Sequence, residues 1–185
     1  MAEQPRRKRD SAATREALLR AAAELFAERG FEQTTVREVA ARAGVNQALL
    51  FRYFGSKQEL FAEVLGMDTG NLLAEPAENL PRRMVTEVLS VQATGGDHPF
   101  SAMLRSFNDE RAARLLRERV GERYLARLGE LTDAPDAELR AALVLACVLG
   151  LGLSRSVLQS PPLVAAEPEA VAEHMMRVIS TLLED

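Results

Sequence analysis

The sequence predicts an all-α chain, and three observations predict it. Ala and Leu dominate a composition that is 47% hydrophobic but only 5% aromatic, the usage of packed helices rather than of strands. No window alternates apolar and polar residues with period 2, whereas apolar residues recur at three- and four-residue spacing along most of the chain. Helix starts and stops follow one another closely between residues 34 and 61, so short helices must be joined there by tight turns.

Residues 1–10 carry Arg6, Arg7, Lys8 and Arg9 without an apolar stripe. They are expected to form a basic, disordered arm that can follow phosphates or enter a minor groove. A first helix is expected from about Ser11 or Thr14 to Arg29, with Leu18, Ala21, Ala22, Leu25 and Phe26 on its apolar face. Gly30 ends it and Phe31 packs back. Thr35 and Glu38 form a capping box for a second helix, with Val36, Val39, Ala40 and Ala43 on one face. Gly44 takes a left-handed turn at little cost. Val45 packs inward, and Asn46 caps a third helix whose buried side is Leu49, Leu50 and Phe54. Gly55 stops that helix, and Ser56 and Glu59 form a second capping box. Two short helices about a Gly turn leave one face of the second free to enter a DNA groove. On that face Gln47 can read a base edge, Ala48 can meet a thymine methyl, and Arg52 and Tyr53 can reach phosphates. Lys57 adds a full charge to a helix N-terminus that already attracts phosphate.

The fourth helix is expected from Lys57 to about Leu73, with Leu60, Phe61, Val64 and Leu65 as its stripe. A fifth spans about Pro81 to Gln92, with Met84, Val85, Val88 and Leu89 inward. Residues 94–99 read as a loop, after which Pro99 can open a helix carrying Phe100, Met103, Leu104 and Phe107. One further helix is expected from about Asp109 to Leu131, with Leu116, Val120, Tyr124 and Leu128 among its inward residues. After a break at 133–136, a helix from about Asp136 to Leu158 has an apolar centre, AALVLACVLGLGL, around its whole circumference. Such a helix must be covered on all sides, by the core on one face and by a second subunit on the other. Pro161 and Pro162 are expected to end this region. The last helix, about Pro168 to Leu183, carries Val171, Met175, Val178, Ile179 and Leu182 on one stripe. Two long C-terminal helices with spare apolar surface suggest a four-helix interface across a two-fold axis. Two recognition helices related in that way need half-sites about 34–36 Å apart, hence a near-palindromic double-stranded DNA site.

FAERGFEQTT followed by VREVAARAGVNQALLFRYFGSKQEL resembles the signature of the TetR family of transcriptional regulators over roughly residues 14–65. Two positions depart from it. Asn46 stands where the family has Ser or Thr, and it caps a helix equally well. Phe51 stands where the family has Tyr, which removes a hydroxyl that often touches phosphate. The resemblance implies a DNA-binding set of Arg37, Asn46, Gln47, Ala48, Phe51, Arg52, Tyr53 and Lys57. It implies a helix-turn-helix domain at 11–56 behind the 1–10 arm, and a ligand-binding and dimerisation domain at 57–185. It further implies a homodimer through the last two helices and a repressor released from its operator by a small molecule that tilts the fourth helix. Pocket-wall candidates are Phe61, Leu65, Met84, Val88, Met103, Phe107, Tyr124 and Cys147, an apolar set that points to a hydrophobic effector.

Charge and composition narrow the function. The net charge is −4, but residues 1–57 hold 11 Lys/Arg against 7 Asp/Glu, and the rest 12 against 20. A basic head on an acidic body suits a protein that presents one end to phosphates. The single cysteine, Cys147, excludes an intrachain disulfide and fits a reducing cytoplasm. The polar start argues against a signal peptide. The longest uncharged apolar run, 13 residues from Ala141 to Leu153, falls short of the roughly 20 that span a bilayer, so no membrane partner is expected. The near-exclusive use of Arg over Lys reads as bacterial base composition. His98 and His174 have no His or Cys at ligand spacing, there is no GxSxG, and Gly150-Leu-Gly152 lacks a third glycine. No enzyme activity, metal or cofactor is therefore expected. The alternative reading is a helical small-molecule sensor without specific DNA recognition, which would bind every duplex weakly and with steep salt dependence.

Overall fold

The computed structural model describes residues 4–74, 76–91, 99–106 and 109–184, and their regular structure is entirely helical. The helices are α1 (Gln4–Gln33), α2 (Val36–Arg42), α3 (Gln47–Phe54), α4 (Lys57–Leu73), α5 (Leu80–Ser90), α6 (Pro99–Arg105), α7 (Glu110–Leu116), α8 (Glu122–Gly129), α9 (Ala137–Ser156), α10 (Pro161–Ala165) and α11 (Pro168–Leu183). Two compact units divide the chain, one of residues 1–67 and 96–116, the other of residues 68–95 and 117–185.

In the first unit, α1 is longer than its sequence suggested. It already runs at Gln4, so the described part of the basic segment is helical rather than an irregular arm. Pro5 lies in the first turn, where a missing N–H costs nothing, and no glycine interrupts the chain before Gly30. Leu18, Ala22, Leu25 and Phe26 are buried as expected, and Val39, Ala40, Leu50 and Phe54 join them, while Val36, Val45 and Leu49 are only half-buried. Phe26, Phe31 and Phe61 form a cluster with centroids 5.0 Å apart for the two pairs that include Phe61. α1 packs against α2, α3 and α6. Gly30 breaks the helix with φ 78° and ψ 178°. The buried Thr34 hydroxyl lies 3.1 Å from the Leu25 carbonyl and 2.9 Å from that of Gly30, satisfying helix-end carbonyls that would otherwise be orphaned.

The second unit is built around α9, which packs on α5, α8, α10 and α11. Its inward stripe is Ala141, Val144, Val148, Leu151, Gly152 and Arg155. By length and composition α9 could cross a membrane, with 20 residues and mean hydropathy 1.7. In this fold its two arginines are held by protein. Arg140 donates to the Leu182 carbonyl at 3.1 Å and to Asp136 at 2.7 Å, and the buried Arg155 donates to the Leu163 carbonyl at 2.9 Å. The expected single helix over 109–131 is interrupted by a π-helical turn at Arg117–Gly121, where the wider ring inserts a residue and Gly121, a weak helix former, closes it. Pro161 and Pro162 open the short α10 instead of only ending a region, because proline suits the first helical turn. Residues 94–98 of the loop expected at 94–99 lie outside the described residues, as do Gln92 and Phe107.

Candidate nucleic-acid interface

The α2–turn–α3 unit is assembled by local chemistry. Thr35 Oγ1 accepts from the Glu38 backbone N–H at 3.2 Å, and the Glu38 carboxylate accepts from the Thr35 backbone N–H at 3.0 Å. The Thr35 hydroxyl and amide, with Arg29 nearby, hold the Glu38 carboxyl below the usual carboxylate range. Gly44 takes φ 68°, and Gly55 φ 77° with ψ −47°, positive-φ geometries that glycine reaches far more readily than any other residue. Asn46 Oδ1 accepts from the Ala48 N–H at 2.8 Å, and Ser56 Oγ accepts from the Glu59 N–H at 3.1 Å. Asn46→Ala should therefore destabilise by about 1 kcal/mol and Asn46→Ser should not. Urea unfolding of both variants checks this, and equal midpoints would dismiss the cap.

α2 is fastened to α1 by ion pairs, Arg42 to Glu28 at 2.7 Å and to Glu24 at 3.5 Å, with Arg29 to Glu38 at 2.8 Å. These pairs are exposed, and each contributes about 0–1 kcal/mol, so they orient the helices more than they stabilise them. Arg15 pairs with Glu63 and lies 5.0 Å from the centre of the Phe54 ring, which ties α1, α3 and α4 together.

Gln47, Ala48, Phe51 and Arg52 are all exposed on α3, at the i, i+1, i+4 and i+5 spacing of one helical face. Arg37 is exposed in the first turn of α2. Phe51 presents 46% of its surface to solvent. Three expected site residues are engaged within the protein. The Asn46 side chain is used by its cap. The half-buried Tyr53 places its hydroxyl 3.0 Å from Ser11 Oγ. Lys57 Nζ donates to the Glu32 carbonyl at 3.3 Å and sits 4.3 Å from the centre of the Phe31 ring. Burial pulls the Lys57 ammonium below the ordinary lysine range, opposed by the charges of Asp109, Glu32 and Glu38. A surface cleft of about 410 Å³ opens beside it, lined by Phe31, Glu32, Lys57, Asp109, Glu110 and Arg111.

The pocket-wall candidates are distributed between the units. Phe61 is fully buried in the aromatic cluster, and Leu65 and Met103 belong to the same unit, whereas Met84, Val88, Tyr124 and Cys147 belong to the other. Phe107 lies outside the described residues. No group of three or more His, Cys, Asp or Glu among the described residues could hold a metal ion. Sequence reasoning missed Thr34, Ser106 and the Ser11–Tyr53 pair. For Thr34 a signal existed, the double threonine after the Gly-aromatic pair; for the other two there was none.

Residues 18–64 match the family model of bacterial regulatory proteins, tetR family, and residues 78–183 match that of the tetracyclin repressor-like, C-terminal domain. An HTH-type transcriptional repressor of Mycobacterium tuberculosis is 53% identical over 49 residues, 26% of this chain and 26% of that protein. The chain thus spans about a quarter of the length of the curated relatives that it matches first. Among solved structures, a TetR-family regulator from Streptomyces coelicolor A3 superposes with a TM-score of 0.61 at 28% identity, covering 94% of this chain and 96% of that one. The regulator FadR of Bacillus subtilis, in complex with stearoyl-CoA, has the same fold, with a TM-score of 0.70 at 15% identity over 91% and 97% of the two chains.

Proposed function

This chain belongs to the TetR family of transcriptional regulators, and on that premise we propose that it is a homodimeric, sequence-specific DNA-binding repressor acting in the cytoplasm. The observation that carries this reading is the exposed face of α3, where Gln47, Ala48, Phe51 and Arg52 follow a capped start and a glycine turn. Gln47 reads a base edge, Ala48 and Phe51 offer apolar contact to thymine methyls, and Arg52 and Arg37 bind phosphate or guanine. Asn46 and Tyr53 serve mainly by setting the position of α3, since their polar atoms are already committed. Lys57 has three donors, of which one goes to Glu32 and the others remain for a phosphate at the start of α4.

The proposed division of labour assigns residues 11–56 to DNA and residues 57–185 to effector binding and dimerisation. Support for a dimer comes from apolar side chains left exposed on one chain: Leu139, Leu143 and Leu153 on α9, Val157 and Leu158 just after it, and Val178 on α11. Support for a hydrophobic effector is the apolar character of Met84, Val88, Tyr124 and Cys147 in the second unit, together with the stearoyl-CoA held by FadR, a protein of the same fold.

The test is selection from a random duplex pool at about 150 mM salt, with Arg37→Ala as the control. Enrichment of a near-palindrome by the wild-type chain, lost or weakened at least about tenfold in the variant, is the expected result. Equal, steeply salt-dependent binding to every duplex would instead identify a sensor without sequence recognition.

A further inference from the structure

The carboxyl end of α6 is seated, by two contacts that leave almost no tolerance, on the last residues of α1 beyond its break at Gly30, which make the turn into α2. A Cβ on Gly30 would lie 2.6 Å from the Arg105 carbonyl oxygen, so backbone meets backbone there. One residue further on, the Phe31 N–H donates to Ser106 Oγ at 2.9 Å, and the Ser106 hydroxyl donates to the Ala102 carbonyl at 2.6 Å. Ser106 is only 2% exposed. The same turn holds Lys57 twice, through the Phe31 ring and through the Glu32 carbonyl. Asp109, three residues after Ser106 and bonded to its carbonyl by a 3.1 Å N–H···O contact, caps α7 and lines the cleft beside Lys57.

We propose, resting on the DNA-binding reading above, that Ser106 is a positioning residue for DNA binding, fixing the α1–α2 turn and through it the Lys57 ammonium at the start of α4. The physical reason is that a buried amide without an acceptor is costly. Without the Ser106 hydroxyl, the Phe31 N–H recovers a partner only if the turn moves off α6. Lys57 then loses the aromatic face and the carbonyl that hold it, and a freely rotating lysine must be ordered again when it meets a phosphate. Nothing in the local sequence joins Ser106 to the interface, since 75 residues separate it from Phe31.

The test compares wild type, Ser106→Ala, Ser106→Thr, Lys57→Ala and the Ser106→Ala/Lys57→Ala double variant, as full chains, on the selected duplex across a salt series. Ser106→Ala should raise Kd about three- to tenfold and lower the salt slope by about 2, as loss of one phosphate contact from each of the two subunits does. Lys57→Ala should show the same slope change, and the double variant should be no weaker than Lys57→Ala alone, because both act on one contact. Ser106→Thr keeps the hydroxyl and should retain wild-type binding. A purely structural serine would lower the melting temperature and leave the slope unchanged. Should Ser106→Ala fail to fold, Phe31→Leu decides, since it keeps the amide bond, removes the ring under Lys57 and should give the same slope change. A wild-type slope in the folded variant, or additive losses in the double variant, overturns the proposal while the DNA-binding reading stands. A wild-type chain that selects no duplex overturns both.

Discussion

Leu143→Glu is expected to leave the folded chain intact, convert it to a monomer and lower its affinity for the selected duplex by about 100-fold or more. Leu143 is 43% exposed on α9, in line with Leu139 at 59%, so a carboxylate there meets water in the isolated chain and costs little. Between two α9 helices the same carboxylate would be buried without a partner, which costs far more than a lost apolar contact returns. In the proposed dimer, loss of the partner then acts on DNA by a separate route. Each half-site contact is weak alone, and linking two of them raises apparent affinity by about 10²–10⁴. Sedimentation equilibrium gives the mass, far-UV circular dichroism the helicity, and fluorescence anisotropy the Kd. A dimeric Leu143→Glu variant with wild-type Kd would move the interface elsewhere.

Gly30→Ala should be the most damaging small substitution in the N-terminal unit, at about 4 kcal/mol. Its φ of 78° and ψ of 178° fall in a region open almost only to glycine, and backbone strain of that kind costs about 1–3 kcal/mol. The added methyl would also sit 2.6 Å from a backbone oxygen and 3.2 Å from the attached carbon of Arg105, atoms that move only if α6 moves. Gly44 and Gly55 provide matched controls. Both have positive φ, but an added Cβ meets nothing within 4 Å, so alanine there should cost only the backbone part, about 1–2 kcal/mol at Gly44 and about 1–3 kcal/mol at Gly55, whose ψ is −47°. Against a typical total stability of about 5–15 kcal/mol, Gly30→Ala should lower the melting temperature by about 8–16 °C and Gly44→Ala by half of that or less. If the two variants melt together, the close approach of Arg105 has no energetic weight.

The local devices of the α2–α3 unit were legible because they are short-range. Thr35 with Glu38, Asn46 with Ala48, and Ser56 with Glu59 are hydrogen bonds across two or three residues, and the turns at Gly44 and Gly55 need a residue type that the sequence displays openly. The helical stripes of α4, α5 and α11 are similarly periodic, and their boundaries fell close to expectation. The longer reach of α1 toward the amino end was not foreseen, because an apolar stripe marks where a helix packs and not how far it continues beyond its packing. The π-helical turn before α8 was invisible for a related reason, since a single inserted residue hardly disturbs the spacing of Leu116, Tyr124 and Leu128.

By itself, the sequence determined the all-helical class, the capped pair of helices about a glycine turn, and the long apolar helix α9. Tertiary structure alone decided which polar atoms of the candidate site are engaged within the protein. It committed the Tyr53 hydroxyl to Ser11 and one donor of Lys57 to Glu32. It also put Phe61 in an aromatic cluster with Phe26 and Phe31, and seated α6 on Gly30 and Phe31 from 75 residues away. Capping and periodicity are carried by neighbours in the chain, whereas the acceptor that a buried donor finds is set by which helix packs over it.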